Sequence, residues 1–322
     1  MQYSLLNHFR GTLLGAAAGE ALGKYSQGKS RLELQLIWQG SCFAAPALEQ
    51  PLEFTPMIHS CTETLIRLGD IRPKDLNSNL VEGKADARAA KVLAATLPVA
   101  LFFHENEANL WQKVSQLSEQ EGGTSEVRNG ALVVAYAIAQ SLQERLRPTE
   151  LITYTLAYLR QPNTSLVQQL GQVQKLLEQQ AGLDRAVSQL LSASSSRAEP
   201  ISTSIALAFY CFLSTLEDLG LTIARAARAG YQSQMTAMLA GALSGAYNSR
   251  AGIPCLWQLH FNSTRAIQEP ALQSFSEPRI LQLADQLMAT WCGNYQPTQI
   301  GMKTDDSSPE PAVTAPRVIR PS

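Results

Sequence analysis

Few residues of this chain have the types and spacing that chemistry needs. The four histidines, His8, His59, His104 and His260, stand far apart with no metal-ligand spacing, and each reads as a surface or satisfied core residue. The five cysteines, Cys42, Cys61, Cys211, Cys255 and Cys292, form no CxxC pair and mostly sit in apolar runs. They read as buried free thiols of a protein in a reducing, cytoplasmic compartment. No Ser/His/Asp or Cys/His set assembles from neighbours in the sequence, and no glycine loop with a lysine is present to cradle phosphate. The polar run Gln232-Ser233-Gln234 stands just ahead of a small-residue helix. Its amides and hydroxyl offer hydrogen bonds to a ligand but no charge.

The elements that would position these residues are helices. From about Ser233, Met235, Leu239, Ala242 and Ala246 form an apolar stripe at helical spacing, with Ala237, Gly241 and Gly245 four apart beside it. A matching row, Gly11, Gly15, Gly19 and Gly23, runs through the first helix. Each interior glycine costs a helix roughly 1 kcal/mol relative to alanine, so four in register imply that another backbone approaches closely. The two rows are expected to pack together.

Further helices are expected over about 56–68, 107–117, 126–146, 149–159, 166–191 with a break at 181–184, 201–216, 219–229 and 278–290. Residues 87–103 are strongly apolar, and Pro98 should start or kink a helix there rather than sit inside one. The leucine and glutamine run of 166–191 lacks heptads with charged flanks and reads as bundle helix rather than coiled coil. Residues 205–213 are apolar all round and mark a central helix. The stretches 24–51 and 192–200 read as surface connections. No segment alternates with period two, so the fold class is all-α, a compact helical bundle.

At 322 residues and 45% hydrophobic content the chain can bury one substantial core. A net charge of −1 argues against nucleic acid and anionic membrane as partners, and the first helix lacks the basic start of a signal peptide. After Asn294 the composition turns to proline, serine, threonine and charge. The expected organisation is a helical domain over 1–293 and a disordered tail over 294–322.

Three segments together resemble the ADP-ribosylglycohydrolase family: the glycine helix of residues 9–23, the apolar helix of residues 205–213, and residues 230–257 ending in Ile253-Pro254-Cys255-Leu256-Trp257. Residues 69–76 also fit the turn after that family's first metal-binding helix. The resemblance covers roughly residues 5–292 and implies the family's all-α fold. Active members hold two magnesium ions between two aspartate-rich segments, where the metals bind ribose and prepare a water. Magnesium needs anionic oxygen ligands for this. At the matching positions this chain has Thr55-Pro56-Met57-Ile58 and Gln232-Ser233-Gln234-Met235, so all four metal-binding aspartates are replaced. The ribose-binding segment falls near Ala90–Ala95 and a Thr-His pair near Glu121-Gly122, and neither is kept. Glu20 stands where the family has an aspartate, on a longer stem.

The resemblance thus implies a degenerate cleft made of Glu20, Thr55, Pro56, Met57, Gln232, Ser233, Gln234 and Met235, with Thr55, Met57, Gln232 and Gln234 meeting around it and no magnesium cofactor. The expected function is that of a catalytically inactive ADP-ribosylglycohydrolase-like protein that binds a partner protein or a small nucleotide-like ligand. The alternatives are a metal-independent binder of ADP-ribose or a nucleotide-sugar, and a surviving hydrolase with a displaced site that uses Glu20.

Overall fold

The computed structural model describes residues 4–29, 52–71, 85–120, 123–159, 164–193, 200–254 and 276–293. Among them are twelve α-helices and no strand: α1 (Leu5–Ser26), α2 (Thr55–Leu68), α3 (Ala85–Phe102), α4 (Glu107–Gln120), α5 (Ser125–Leu142), α6 (Leu151–Leu159), α7 (Ser165–Glu178), α8 (Leu183–Ala193), α9 (Pro200–Ser214), α10 (Leu219–Arg228), α11 (Ser233–Asn248) and α12 (Glu277–Trp291). Most of the surface connections, Glu121-Gly122, Cys42, Cys255, Trp257, His260 and the tail from Asn294 lie outside the described residues.

Helix ends follow local chemistry. The side chains of Thr124, Thr164 and Asp218 accept hydrogen bonds from the backbone N–H groups of Val127, Val167 and Leu221, capping α5, α7 and α10. Gly69 ends α2 at a φ of 64°, the left-handed conformation that glycine adopts without a Cβ penalty.

The axis of the molecule is the antiparallel pair α1 and α11. Gly11 faces Gly245, Gly15 faces Gly241, Gly19 faces Ala237 and Gly23 faces Ser233. A methyl group added to Gly15 would stand 2.2 Å from the carbonyl oxygen of Gly241, and one added to Gly241 would stand 2.0 Å from that of Gly15. The two backbones are therefore in direct contact, as the matched rows predict. Around this pair, α9 and α10 pack against α11, and α12 closes over α1 and α2. The apolar helix α9 is central, with every residue from Ile201 to Phe212 buried.

One expectation is corrected. Pro98 neither starts nor ends its helix but lies inside α3, four residues before its end. The missing N–H and the ring clash cost roughly 3 kcal/mol or more in a helix interior. Leu97, Val99 and Leu101 are fully buried around it, and burying these three side chains at roughly 1.5–3 kcal/mol each outweighs that cost.

Candidate functional site

The site grows from one side chain, Glu20, which is 0% exposed in the C-terminal half of α1. No residue at the start of α2 caps that helix with its own side chain. Glu20 does so from a different helix. Its Oε1 accepts from the backbone N–H of Glu53 at 2.6 Å and of Phe54 at 2.7 Å, and its Oε2 accepts from the Thr55 N–H at 2.7 Å. The Thr55 hydroxyl donates to Oε2 at 2.6 Å, and the Gln234 amide donates to Oε1 at 3.0 Å. Pro56 has no N–H to satisfy, and Met57 N–H turns back onto the Phe54 carbonyl. One carboxylate thereby satisfies the helix terminus and balances its positive end.

The second glutamine segment is tied down in the same way. Ser233 Oγ donates to the Gly23 carbonyl at 2.9 Å, where the end of α1 meets the start of α11. Gln27 Nε2 reaches Gln234 Oε1 at 3.4 Å. Gln232 sits at a φ of 40° and directs its side chain elsewhere, accepting from Ser204 Oγ of α9 at 3.0 Å. Met235 is buried. Pro56 is exposed, and Met57 is half-buried against the apolar core. Thr55 and Gln234 thus meet on Glu20, while Gln232 faces α9.

A small cavity of about 270 Å³ opens beside Gln232 and Ser233. Lys29 and Arg228 line it as well. Lys29 lies over the Tyr25 ring at 3.7 Å, and Arg228 stands 3.8 Å from Asp184. The exposed Glu53 side chain is held 3.7 Å from Lys24.

The magnesium ions implied by the resemblance do not fit these residues. A hard cation needs oxygens with free lone pairs, and both Glu20 oxygens face N–H and O–H donors whose positive ends point inward. Among the described residues no three His, Cys, Asp or Glu side chains gather as a ligand set.

His8 Nδ1 is 2.7 Å from the Ala246 carbonyl and His104 Nδ1 is 2.7 Å from that of Leu101. Burial, reinforced by Arg279, lowers the His59 pKa to about 4. Burial pushes the Cys211 thiol up to about 12 and raises that of Cys61 as well, so neither is a ready nucleophile.

Of the four residues expected to meet, Thr55 and Gln234 share Glu20, whereas Gln232 bonds to Ser204 of α9 and Met57 packs on the core, and what joins the first two was missed. The only sign was the pairing of an uncapped helix start with a buried acid 35 residues earlier.

Residues 59–297 match a protein-family model described as ADP-ribosylglycohydrolase. No curated protein matches the chain. A solved structure titled "ADP-ribosylglycohydrolase-related protein complex" is similar to it with a TM-score of 0.58 and 18% identity, over 88% of this chain and 99% of that one. At that identity the likeness is one of fold, and it extends to parts of the chain outside the family match.

Proposed function

The chain belongs to the ADP-ribosylglycohydrolase family, and from that premise we propose that it is a non-hydrolytic member that acts by binding in its remodelled cleft. The observation that carries this reading is the saturation of Glu20. Hydrolysis in the family's manner needs carboxylate oxygens free to hold metal and, through it, water. Here the one acid retained in the cleft is consumed by five hydrogen bonds that hold α2 in place.

Of the two occupants, partner protein or small ligand, the cavity beside Gln232 favours the ligand. Lys29 and Arg228 on its wall suit an anionic group, and the amides of Gln27 and Gln232 with the Ser233 edge suit ribose hydroxyls. This is a metal-independent site for an ADP-ribose-like or nucleotide-sugar molecule. The buried free thiols Cys61 and Cys211 support a cytoplasmic setting. Among the described residues no helix is long and apolar enough to cross a membrane.

The test is calorimetry with magnesium chloride and with ADP-ribose, beside a hydrolysis assay on an ADP-ribosylated protein. The expected result is ADP-ribose binding without added metal, weakened by Arg228→Gln, and no magnesium-dependent release. Micromolar magnesium binding with turnover abolished by Glu20→Gln would overturn the proposal in favour of a displaced hydrolase site.

A further inference from the structure

A larger cavity, of about 620 Å³, lies elsewhere in the fold. It is reached along α9: Ser204 touches the cleft through Gln232, whereas Tyr210 and Leu213 line this cavity, roughly 9–14 Å further down the helix. Ile152 of α6 and Leu176 and Leu177 of α7 form its apolar walls, and among the described residues Arg225 of α10 brings the only cation. A lining carboxylate, Glu178, is exposed and accepts from Gln174 at 3.2 Å.

Arg225 is the unusual member. Its side chain is partly buried, its guanidinium carbon lies 5.7 Å from the centre of the Tyr210 ring, and its Nε is buried with no hydrogen-bond acceptor. Among the described residues no carboxylate stands within ion-pair distance of it. The Tyr210 ring compensates part of the charge, and Tyr210 is itself fixed because its hydroxyl donates to the Ala181 carbonyl. Buried charges are ordinarily paired, and a guanidinium presents a planar fork that a carboxylate or sulfonate matches with two hydrogen bonds. The walls meanwhile offer hydrocarbon, and the volume is that of a small-molecule site.

We propose that this cavity binds a small amphipathic organic anion, its carboxylate on Arg225 and its apolar body along Leu176, Leu177 and Leu213. The site is independent of the nucleotide cleft, so its failure would leave the reading of that cleft intact.

Titrating the full chain with octanoate by calorimetry tests the assignment, with circular dichroism of each variant as the check on folding. Octanoate is expected to bind saturably, one per chain. Arg225→Gln should weaken it at least tenfold, and Arg228→Gln in the other cavity should leave it unchanged. Octanol, which lacks the charge, should bind more weakly and be indifferent to Arg225→Gln. Thr149→Trp, an exposed position at the mouth of the cavity, should reduce octanoate binding without touching Arg225. This second variant carries the test if Arg225→Gln fails to fold. No saturable binding at millimolar octanoate, or an affinity that neither Arg225→Gln nor Thr149→Trp changes, would overturn the proposal.

Discussion

Glu20 is a buried carboxylate whose oxygens are spent on hydrogen bonds within the chain. Its carboxylate meets three backbone N–H groups, a hydroxyl and an amide, and hydrogen bonds to a charged group contribute about 1.5–3 kcal/mol each. Glu20→Gln sets an amide NH2 against some of those donors, so the chain should lose about 2–4 kcal/mol of stability in urea denaturation. Glu20→Asp keeps the charge but shortens the stem, and it should also destabilise the chain while yielding no hydrolysis. A second residue-scale effect depends on pH. His59 is held neutral in the folded chain, with a pKa lowered to about 4 by burial, whereas in the unfolded chain it protonates near 6.5. As pH falls, the unfolded state takes up the proton first, so stability present above pH 6.5 is lost between 6.5 and 4. The loss is of order 3 kcal/mol, and it should be absent from His59→Gln when the two chains are melted side by side across that range. Of these roles, the amide and hydroxyl chemistry of Gln232-Ser233-Gln234 was legible in the sequence because it depends only on residue type. The capping by Glu20 was not legible, since it requires knowing that the C-terminal half of α1 faces the first turn of α2. The pairing of Arg225 with Tyr210 was hidden for the same reason.

Helices were more legible than sites because their signals are periodic. The rows Gly11, Gly15, Gly19, Gly23 and Ala237, Gly241, Gly245 announced a close pair, and α1 and α11 do meet backbone to backbone. Pro98 misled because proline's local cost is easily read, whereas the burial that overrides it is a property of the finished core. The glycine pair also separates two kinds of glycine. A methyl group at Gly15 would fall 2.2 Å from a backbone oxygen that cannot rotate away, so Gly15→Ala must push two helices apart. Overpacking of a core costs about 1–3 kcal/mol and sometimes more, and here the upper end or beyond is expected. Gly171, inside α7, has nothing within 4 Å of its added Cβ. Gly171→Ala should therefore raise stability by up to about 1 kcal/mol, the difference in helix propensity. Opposite shifts of the urea midpoint in the two variants check the distinction, and equal shifts would contradict the close contact.

At the scale of the whole molecule, the first and last described helices lie together. Arg10 of α1 forms a two-pronged ion pair with Asp285 of α12, at 2.7 and 2.8 Å, and Arg279 of α12 reaches Glu63 of α2 at 2.6 Å. Exposed or half-exposed pairs like these contribute about 1 kcal/mol or less each, so they orient α12 more than they hold it. The holding comes from Ile280, Leu283 and Leu287, all at most 1% exposed. Three such side chains at about 1.5–3 kcal/mol apiece approach the full 5–15 kcal/mol stability of a typical domain. A chain ending at residue 275 should accordingly lose its cooperative thermal transition, because α1, α2 and the start of the cleft would be uncovered together. A chain ending at residue 293 removes only the proline-rich, polar sequence that composition marks as a tail, and its melting temperature should stay within a degree or two of the full chain. If the shorter truncation instead lowered the melting temperature by several degrees, residues after 293 would have to contribute to the core. The longer truncation melting cooperatively would show that α12 is an appendage rather than the element that closes the bundle.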